Sequence, residues 1–460
     1  METLIIIIFV LGYLAIALEH NTKLDKLIPA LAMMAILWAL VAFGIEAYPN
    51  WFDSGAHELI NGEGGFLGIE SEEKHHLLEE TLLHHLGKTA EILFFLLGAM
   101  TIVEIIDYFD GFATFKNYIV TRKKKKLLWI FAFLAFVLSA IIDNLTATIV
   151  LISILQKIIK DRNTRLWFAG LIIIAANAGG AFSPIGDVTT TMLWIGGKVS
   201  ALMLVKYLFI PSLICMVVPV TIASFMKPFK GKIDKVDDIE SQKSKSKYGS
   251  TMLYIGLGAI IFVPFFKVIT HLPPYVGMML SLSVVGLFAE LYSRSEFSIS
   301  HVVDQEGDDS QGHHSPVHAS LSKIEMPSVL FFFGILMAVA ALESLGILFI
   351  GAESLKQIIP NTDIVVMLLG VGSAIVDNVP LVAASMGMFQ EPMDNPLWHF
   401  VAFSAGTGGS MLIIGSAAGV VAMGMERINF MWYLRKIAWL AAVGFIAGSL
   451  AFIGMRAILA

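Results

Sequence analysis

An apolar stretch with one carboxylate at its middle and basic runs at both ends constrains this chain more than any other feature. Residues 127–156 carry a single ionisable side chain, Asp143, and are bracketed by Arg-Lys-Lys-Lys-Lys at 122–126 and by Lys157, Lys160, Arg162 and Arg165. As one straight helix the stretch would run about 45 Å at ~1.5 Å per residue, against a hydrocarbon core of about 30 Å, and would put positive clusters on both sides of a membrane. Basic residues instead collect on the cytoplasmic side. A reversal at 142–145 resolves the conflict. It gives two arms of roughly 20–24 Å, both basic ends in the cytoplasm and an Asp-Asn tip deep in the bilayer, which is a re-entrant helical hairpin. A carboxylate at that depth is costly and calls for a function.

The composition fits this reading. Of 460 residues 57% are hydrophobic and only 15% charged, the balance of an all-α polytopic membrane protein lying in a lipid bilayer rather than of a soluble domain. No nucleic-acid-binding surface is indicated. The single cysteine, Cys215, excludes intrachain disulfides and Cys-based metal sites. Residues 1–8 lack a basic n-region and read as a retained first span rather than a signal peptide.

The hairpin occurs twice. Residues 139–144 read Ser-Ala-Ile-Ile-Asp-Asn, and residues 373–378 read Ser-Ala-Ile-Val-Asp-Asn. The second copy is flanked by Asn361, Asp363, Glu391 and Asp394, with no Lys or Arg between Lys356 and Arg427, so it enters from the outer face. Two further motifs repeat in the same order: residues 93–100 match 330–337, and the glycines Gly179, Gly180 and Gly186 match Gly408, Gly409 and Gly415. The offsets, 237, 234 and 229 residues, drift only slightly, which argues for two inverted repeats. The chain then divides into N-terminal spans and an external loop (1–89, scaffold), repeat 1 (90–226, hairpin 127–160) and a Lys-rich cytoplasmic linker (227–249). Two more spans (250–294), a cytoplasmic polar loop (295–325) and repeat 2 (326–460, hairpin 362–391) follow. Spans are expected near 3–18, 27–45, 90–110, 203–226, 328–350 and 430–455. The histidines of the two polar loops, His75, His76, His84 and His85 in one and His313, His314 and His318 in the other, match no closed metal-site spacing and read as solvated.

In each repeat a glycine pair and a further glycine, joined in repeat 1 by Pro184, interrupt what would otherwise be one span. Proline removes a backbone donor and glycine adds freedom, so each is a broken helix whose half-ends and open carbonyls face the midplane. Around these breaks and hairpin tips stand Asp143, Asn144, Thr146, Asn177, Ser183, Asp187, Thr189 and Thr190 from repeat 1. Repeat 2 supplies Asp377, Asn378, Thr407, Ser410 and Ser416. These hard oxygens suit hard cations, not zinc or copper. Any single hydroxyl here is as readily explained by a bond to neighbouring backbone. The two aspartates are not, because no Lys or Arg lies within the motifs. A carboxylate in low dielectric can take up either a proton or a metal cation, and a site that cannot hold both couples the two fluxes.

Residues 139–148 together with 177–190 resemble the NhaD family of sodium/proton antiporters, within the ion transporter superfamily, and the likeness extends over nearly the whole chain, including 12–20. The resemblance implies exchange of sodium, and of lithium, for protons by alternating access. Sodium is then a substrate held at Asp143, Asn144, Asp377 and Asn378, and no cofactor is required. It further implies a homodimer in a bacterial inner membrane, in which a scaffold holds a mobile transport domain that works as an elevator. The site residues it implies are Asp143, Asn144, Asn177, Asp187, Thr189, Thr190, Ser373, Asp377 and Asn378. Glu91 and Glu325 are implied as supporting carboxylates, and Glu104 joins them as a carboxylate within a predicted span. The alternative is a sodium-coupled dicarboxylate or other anion transporter of the same superfamily, against which two negative tips would repel the substrate. An intramembrane enzyme is disfavoured, since neither His-Glu-x-x-His nor Gly-x-Ser-x-Gly occurs, and a channel fits poorly with inverted hairpins.

Overall fold

The structure is a computed structural model describing residues 1–17, 24–53, 58–60, 66–118, 121–233, 248–300, 315–375 and 378–459. It begins with α1 (Glu2–Ala17), α2 (Leu27–Phe43), a small antiparallel hairpin of β1 (Trp51–Asp53) and β2 (Glu58–Ile60), and the long α3 (Ser71–Tyr108). Repeat 1 continues with the hairpin arms α4 (Lys124–Ile142) and α5 (Asn144–Ile158), the broken helix α6 (Arg162–Gly180) and α7 (Val188–Ile195), and α8 (Ala201–Ser224). After α9 (Gly249–Thr270), α10 (Pro274–Ser300) and the short α11 (Pro316–Leu321), repeat 2 opens on α12 (Met326–Ser344) and α13 (Ile347–Ile358). Its hairpin is α14 (Thr362–Gly372) and α15 (Asn378–Met388), its broken helix α16 (Pro396–Gly408) and α17 (Ala417–Glu426), and α18 (Phe430–Lys436) and α19 (Ala438–Leu459) close the chain. Seven of the described helices are long and apolar enough to cross a membrane.

Packing follows the repeat. The first hairpin arm lies on the first half of the broken helix in both copies, α4 on α6 and α14 on α16. The second arm crosses to the other repeat, so α5 packs on α17 and α15 on α7. Ser139 Oγ donates to the carbonyl of Ala176 at 2.6 Å, and its counterpart Ser373 donates to that of Ala405 at 2.8 Å.

The matched glycines show why these positions recur. A Cβ on Gly179 would stand 2.1 Å from the carbonyl oxygen of Phe136, and one on Gly408 would stand 2.0 Å from that of Gly370. A Cβ on Gly180 or Gly409 would likewise stand 2.5 Å from the carbonyl oxygen of the glycine within the break, Gly186 or Gly415. The hairpin arm therefore rests directly on broken-helix backbone, the close approach that small residues allow between membrane helices. Gly179→Ala and Gly408→Ala are expected to destabilise the purified protein by about 1–3 kcal/mol each, because the obstructing atoms are backbone and overpacking cannot be relieved by a rotamer. Gly258→Ala, with nothing within 4 Å of the added methyl, should be neutral or stabilising in the same thermal melt.

Three segments differ from the expectation. Residues 46–89 are not simply a loop: α3 begins at Ser71 and continues unbroken for 38 residues, about 57 Å at ~1.5 Å per residue, far beyond a membrane core. Its charged first half forms helix because an α-helix satisfies its own backbone, and buried Lys74 ties it to Glu46 at 3.1 Å. Ahead of it Trp51 is buried and stacks on Phe66 at 5.1 Å. The final span begins at Ala438, since α18 is a separate short helix. In the polar segment 295–325, α10 runs on to Ser300 and α11 forms with Ser320 buried; His313 and His314 lie outside the described residues.

At the basic end of the first hairpin, Arg165 binds both carboxylate oxygens of buried Glu426 at 2.9 and 3.1 Å and caps the carbonyls of Ile159 and Lys160. This fastens the end of α5 to the end of α17, which belong to different repeats.

Candidate ion site

Asp143 ends α4 and caps α5. Its backbone takes φ 86°, in the left-handed half of conformational space, a strain of order 1–3 kcal/mol for a residue other than glycine. In return its carboxylate accepts from the Thr146 amide at 2.8 Å and from the Thr146 hydroxyl at 2.9 Å. A reversal this tight leaves no room for a longer loop, so the tip is two residues, Asp143 and Asn144.

Asn144 donates to the Asn177 side-chain oxygen at 3.1 Å, and Asn177 donates to Ser416 Oγ at 3.0 Å. Ser416 caps α17 by accepting from the Gly419 amide. Across the pseudo-twofold axis the corresponding tip amide, Asn378, donates to Asp187 Oδ2 at 3.0 Å, and Thr189 Oγ1 donates to the same oxygen at 2.8 Å. Asp187 stands in repeat 1 where Ser416 stands in repeat 2, while Asn177 has Gly406 as its counterpart. A Cβ on Gly406 would lie 3.3 Å from Asp187 Oδ2. The two crossings thus share a plan and differ in charge: one is amide, amide and hydroxyl, the other amide, carboxylate and hydroxyl.

The N-terminal ends of α5, α7, α15 and α17 meet at a cavity of about 80 Å³ whose wall includes Asp143, Asn144, Thr146, Asp187, Asn378 and Glu325. That volume holds a few waters or a partly hydrated cation. Apolar side chains of α3, α9 and α10, among them Phe95, Ile260 and Met278, and Phe332 of α12 line the other side.

Other expected residues sit elsewhere. Asn177, Thr189 and Ser416 touch the site through the hydrogen bonds above. Thr190 donates to the Asp187 carbonyl at 2.9 Å, Ser183 accepts from the Ile185 amide at 3.4 Å, Thr407 donates to the Phe403 carbonyl at 2.6 Å and Ser410 to that of Thr407 at 2.5 Å. With Ser373, which donates to the Ala405 carbonyl, these hydroxyls are engaged with backbone and do not line the cavity. Glu325 occupies the position just ahead of α12, at the cavity wall. Glu91 and Glu104 lie along α3 away from it, beside Lys267 and beside Asp107 and Lys323 respectively. Asp377 lies outside the described residues.

Although no Lys or Arg lies within the motifs, a basic group from elsewhere in the chain reaches the cavity. Lys26, at the start of α2, lines the same cavity, with its ammonium 4.4 Å above the ring of Phe331 on α12. In the sequence it marks only a cytoplasmic turn; the packing of α2 on α12 brings it to the site. A second carboxylate also escaped notice. Glu343, on α12, faces α15, where a Cβ on Gly387 would stand 3.4 Å from its carboxyl carbon, and Lys198 is its charged neighbour.

Residues 13–398 match a family described as "Citrate transporter". "Sodium/proton antiporter 1" of Arabidopsis thaliana is 40% identical over 453 residues, 98% of this chain and 72% of that protein. "Na(+)/H(+) antiporter NhaD" of Vibrio cholerae is 32% identical over 451 residues, 94% of this chain and 87% of that one. Among solved structures, the YdaH transporter of Alcanivorax borkumensis, reported to have an unusual topology, superposes with a TM-score of 0.58 at 14% identity, covering 94% of this chain and 99% of its own, which speaks to the fold alone. A multi-pass helical transporter fold, repeated Asp-Asn tips and relatives of this similarity along almost the entire chain lead to one assignment: the chain belongs to the family described as citrate transporter and, with it, to the NhaD sodium/proton antiporters.

Proposed function

We propose that this chain exchanges sodium for protons across the membrane by alternating access, with Asp143 and Asp187 as the carboxylates that take up either ion. One observation carries the reading: both carboxylates, one from a hairpin tip and one from a broken helix, share a small cavity with amide and hydroxyl oxygens of both repeats and with the positive ends of four helices. Such a set can coordinate a partly dehydrated hard cation when deprotonated, and release it when protons arrive. Asp377 joins the set on the strength of its matching motif. Lithium, another small hard cation, is expected to substitute for sodium.

We place the protein in a bacterial inner membrane, as a homodimer whose hairpins and broken helices move as one body against a scaffold, a reading that the family resemblance supports. The inverted arrangement has a direct test. With Cys215 replaced, cysteines at Lys160 and Asn361 should react with an impermeant probe from the cytoplasmic and outer faces respectively. Labelling of both from one side would dismantle the inverted repeat.

The family description favours one competitor, a citrate or dicarboxylate carrier coupled to sodium. The cavity argues against it, since Asp143, Asp187 and Glu325 outnumber Lys26 and would repel an anion. Vesicles containing the purified protein decide the matter. Sodium or lithium, but not potassium, should release protons from acid-loaded vesicles without any carboxylate, whereas the competitor requires citrate or succinate for sodium flux.

A further inference from the structure

Asp143, Asp187 and Glu325 stand on the wall of one cavity, a donor set that would ordinarily welcome a divalent cation, because calcium takes several carboxylate and carbonyl oxygens. Among the described residues, the charged side chains of the wall are Asp143, Asp187, Glu325 and Lys26. Lys26 is the one cation among them. It enters from α2, which packs on α12 and belongs to neither hairpin nor broken helix, and the face of Phe331 holds its ammonium in place. We infer that Lys26 sets the selectivity of this cavity for monovalent over divalent cations.

The inference rests on the exchange reading above and follows from Coulomb's law. A fixed positive charge repels an entering ion in proportion to that ion's charge, so its energetic effect on calcium is twice its effect on sodium. Because affinity depends exponentially on energy, the factor by which Lys26 weakens calcium binding is the square of the factor for sodium. A purely structural lysine would leave no such relation, since a displaced helix perturbs both ions without regard to charge.

The test compares wild type with Lys26→Met, Lys26→Gln and Lys26→Arg in vesicles at one alkaline pH. It reads the sodium concentration that half-saturates exchange and the calcium chloride concentration that half-inhibits it. For Met and Gln the first should fall about three- to tenfold and the second about ten- to a hundredfold, the second factor being the square of the first. Lys26→Arg should keep the wild-type ratio of the two constants. Where a variant folds but does not transport, sodium- and calcium-dependent thermal stabilisation of the purified protein reads the same two affinities. Equal factors for the two ions, no change in either, an arginine variant that behaves like methionine, or misfolding of every variant would each overturn the assignment. A wild-type protein without sodium-driven proton release would refute exchange itself; an exchanging wild type with an unmoved ratio in the neutral variants would refute only the role of Lys26.

Discussion

Asp143→Asn and Asp187→Asn are each expected to reduce sodium-driven proton release at least about a hundredfold while the protein stays folded. An anionic ligand to a desolvated cation contributes at least ~3 kcal/mol, and each ~1.4 kcal/mol is a tenfold change in affinity. The amide keeps the shape and an acceptor oxygen, but it neither neutralises sodium nor carries a proton. Folding should survive for reasons particular to each position. At Asp143, asparagine is the other residue that both caps helices and tolerates positive φ, so the bond from the Thr146 amide persists. At Asp187, an asparagine oxygen can still accept from Asn378 and Thr189. Asp143→Ala, by contrast, loses the cap and retains the strained backbone, and should lower thermal stability as well. Exchange assays paired with thermal melts of the same preparations separate the two effects. Wild-type exchange by both asparagine variants would remove these carboxylates from the mechanism.

How much of this was legible in the sequence depends on how local the cause is. The first hairpin could be placed because one aspartate and two basic runs lie within a single stretch, and its reversal falls where a two-residue tip permits it, at Asp143 and Asn144. The breaks in α6/α7 and α16/α17 could be placed because glycine and proline act on their own backbone, and the repetition doubled the signal. The role of those glycines was hidden, since what Gly179 and Gly408 make room for is a carbonyl some forty residues earlier in the chain. Lys26 and Glu343 were missed for the same reason: only packing between distant elements gives them their neighbours. The first half of α3 was misjudged because its charge density resembles that of a loop. The charge asymmetry between the two crossings was on the page as Asp187 against Ser416 and Asn177 against Gly406. Its meaning required knowing that each residue faces the other repeat.

Competition between protons and sodium is the second large effect. A carboxylate must be deprotonated to ligate a hard cation, so the sodium concentration that half-saturates exchange should rise as the medium is acidified. With one competing proton the rise approaches about tenfold per pH unit once the carboxylates are mostly protonated, and flattens where they are fully ionised. Activity at fixed, subsaturating sodium therefore favours alkaline pH. The gain lies in apparent affinity rather than in maximal rate, and saturating sodium should partly restore transport at lower pH. The measurement is the half-saturating sodium concentration of the purified protein in vesicles at several pH values, with no carboxylate substrate present. A steady increase with acidification, at nearly constant maximal rate, is the expected result. A value independent of pH while exchange is active would contradict a shared site and move the proton to a separate carboxylate such as Glu91 or Glu325.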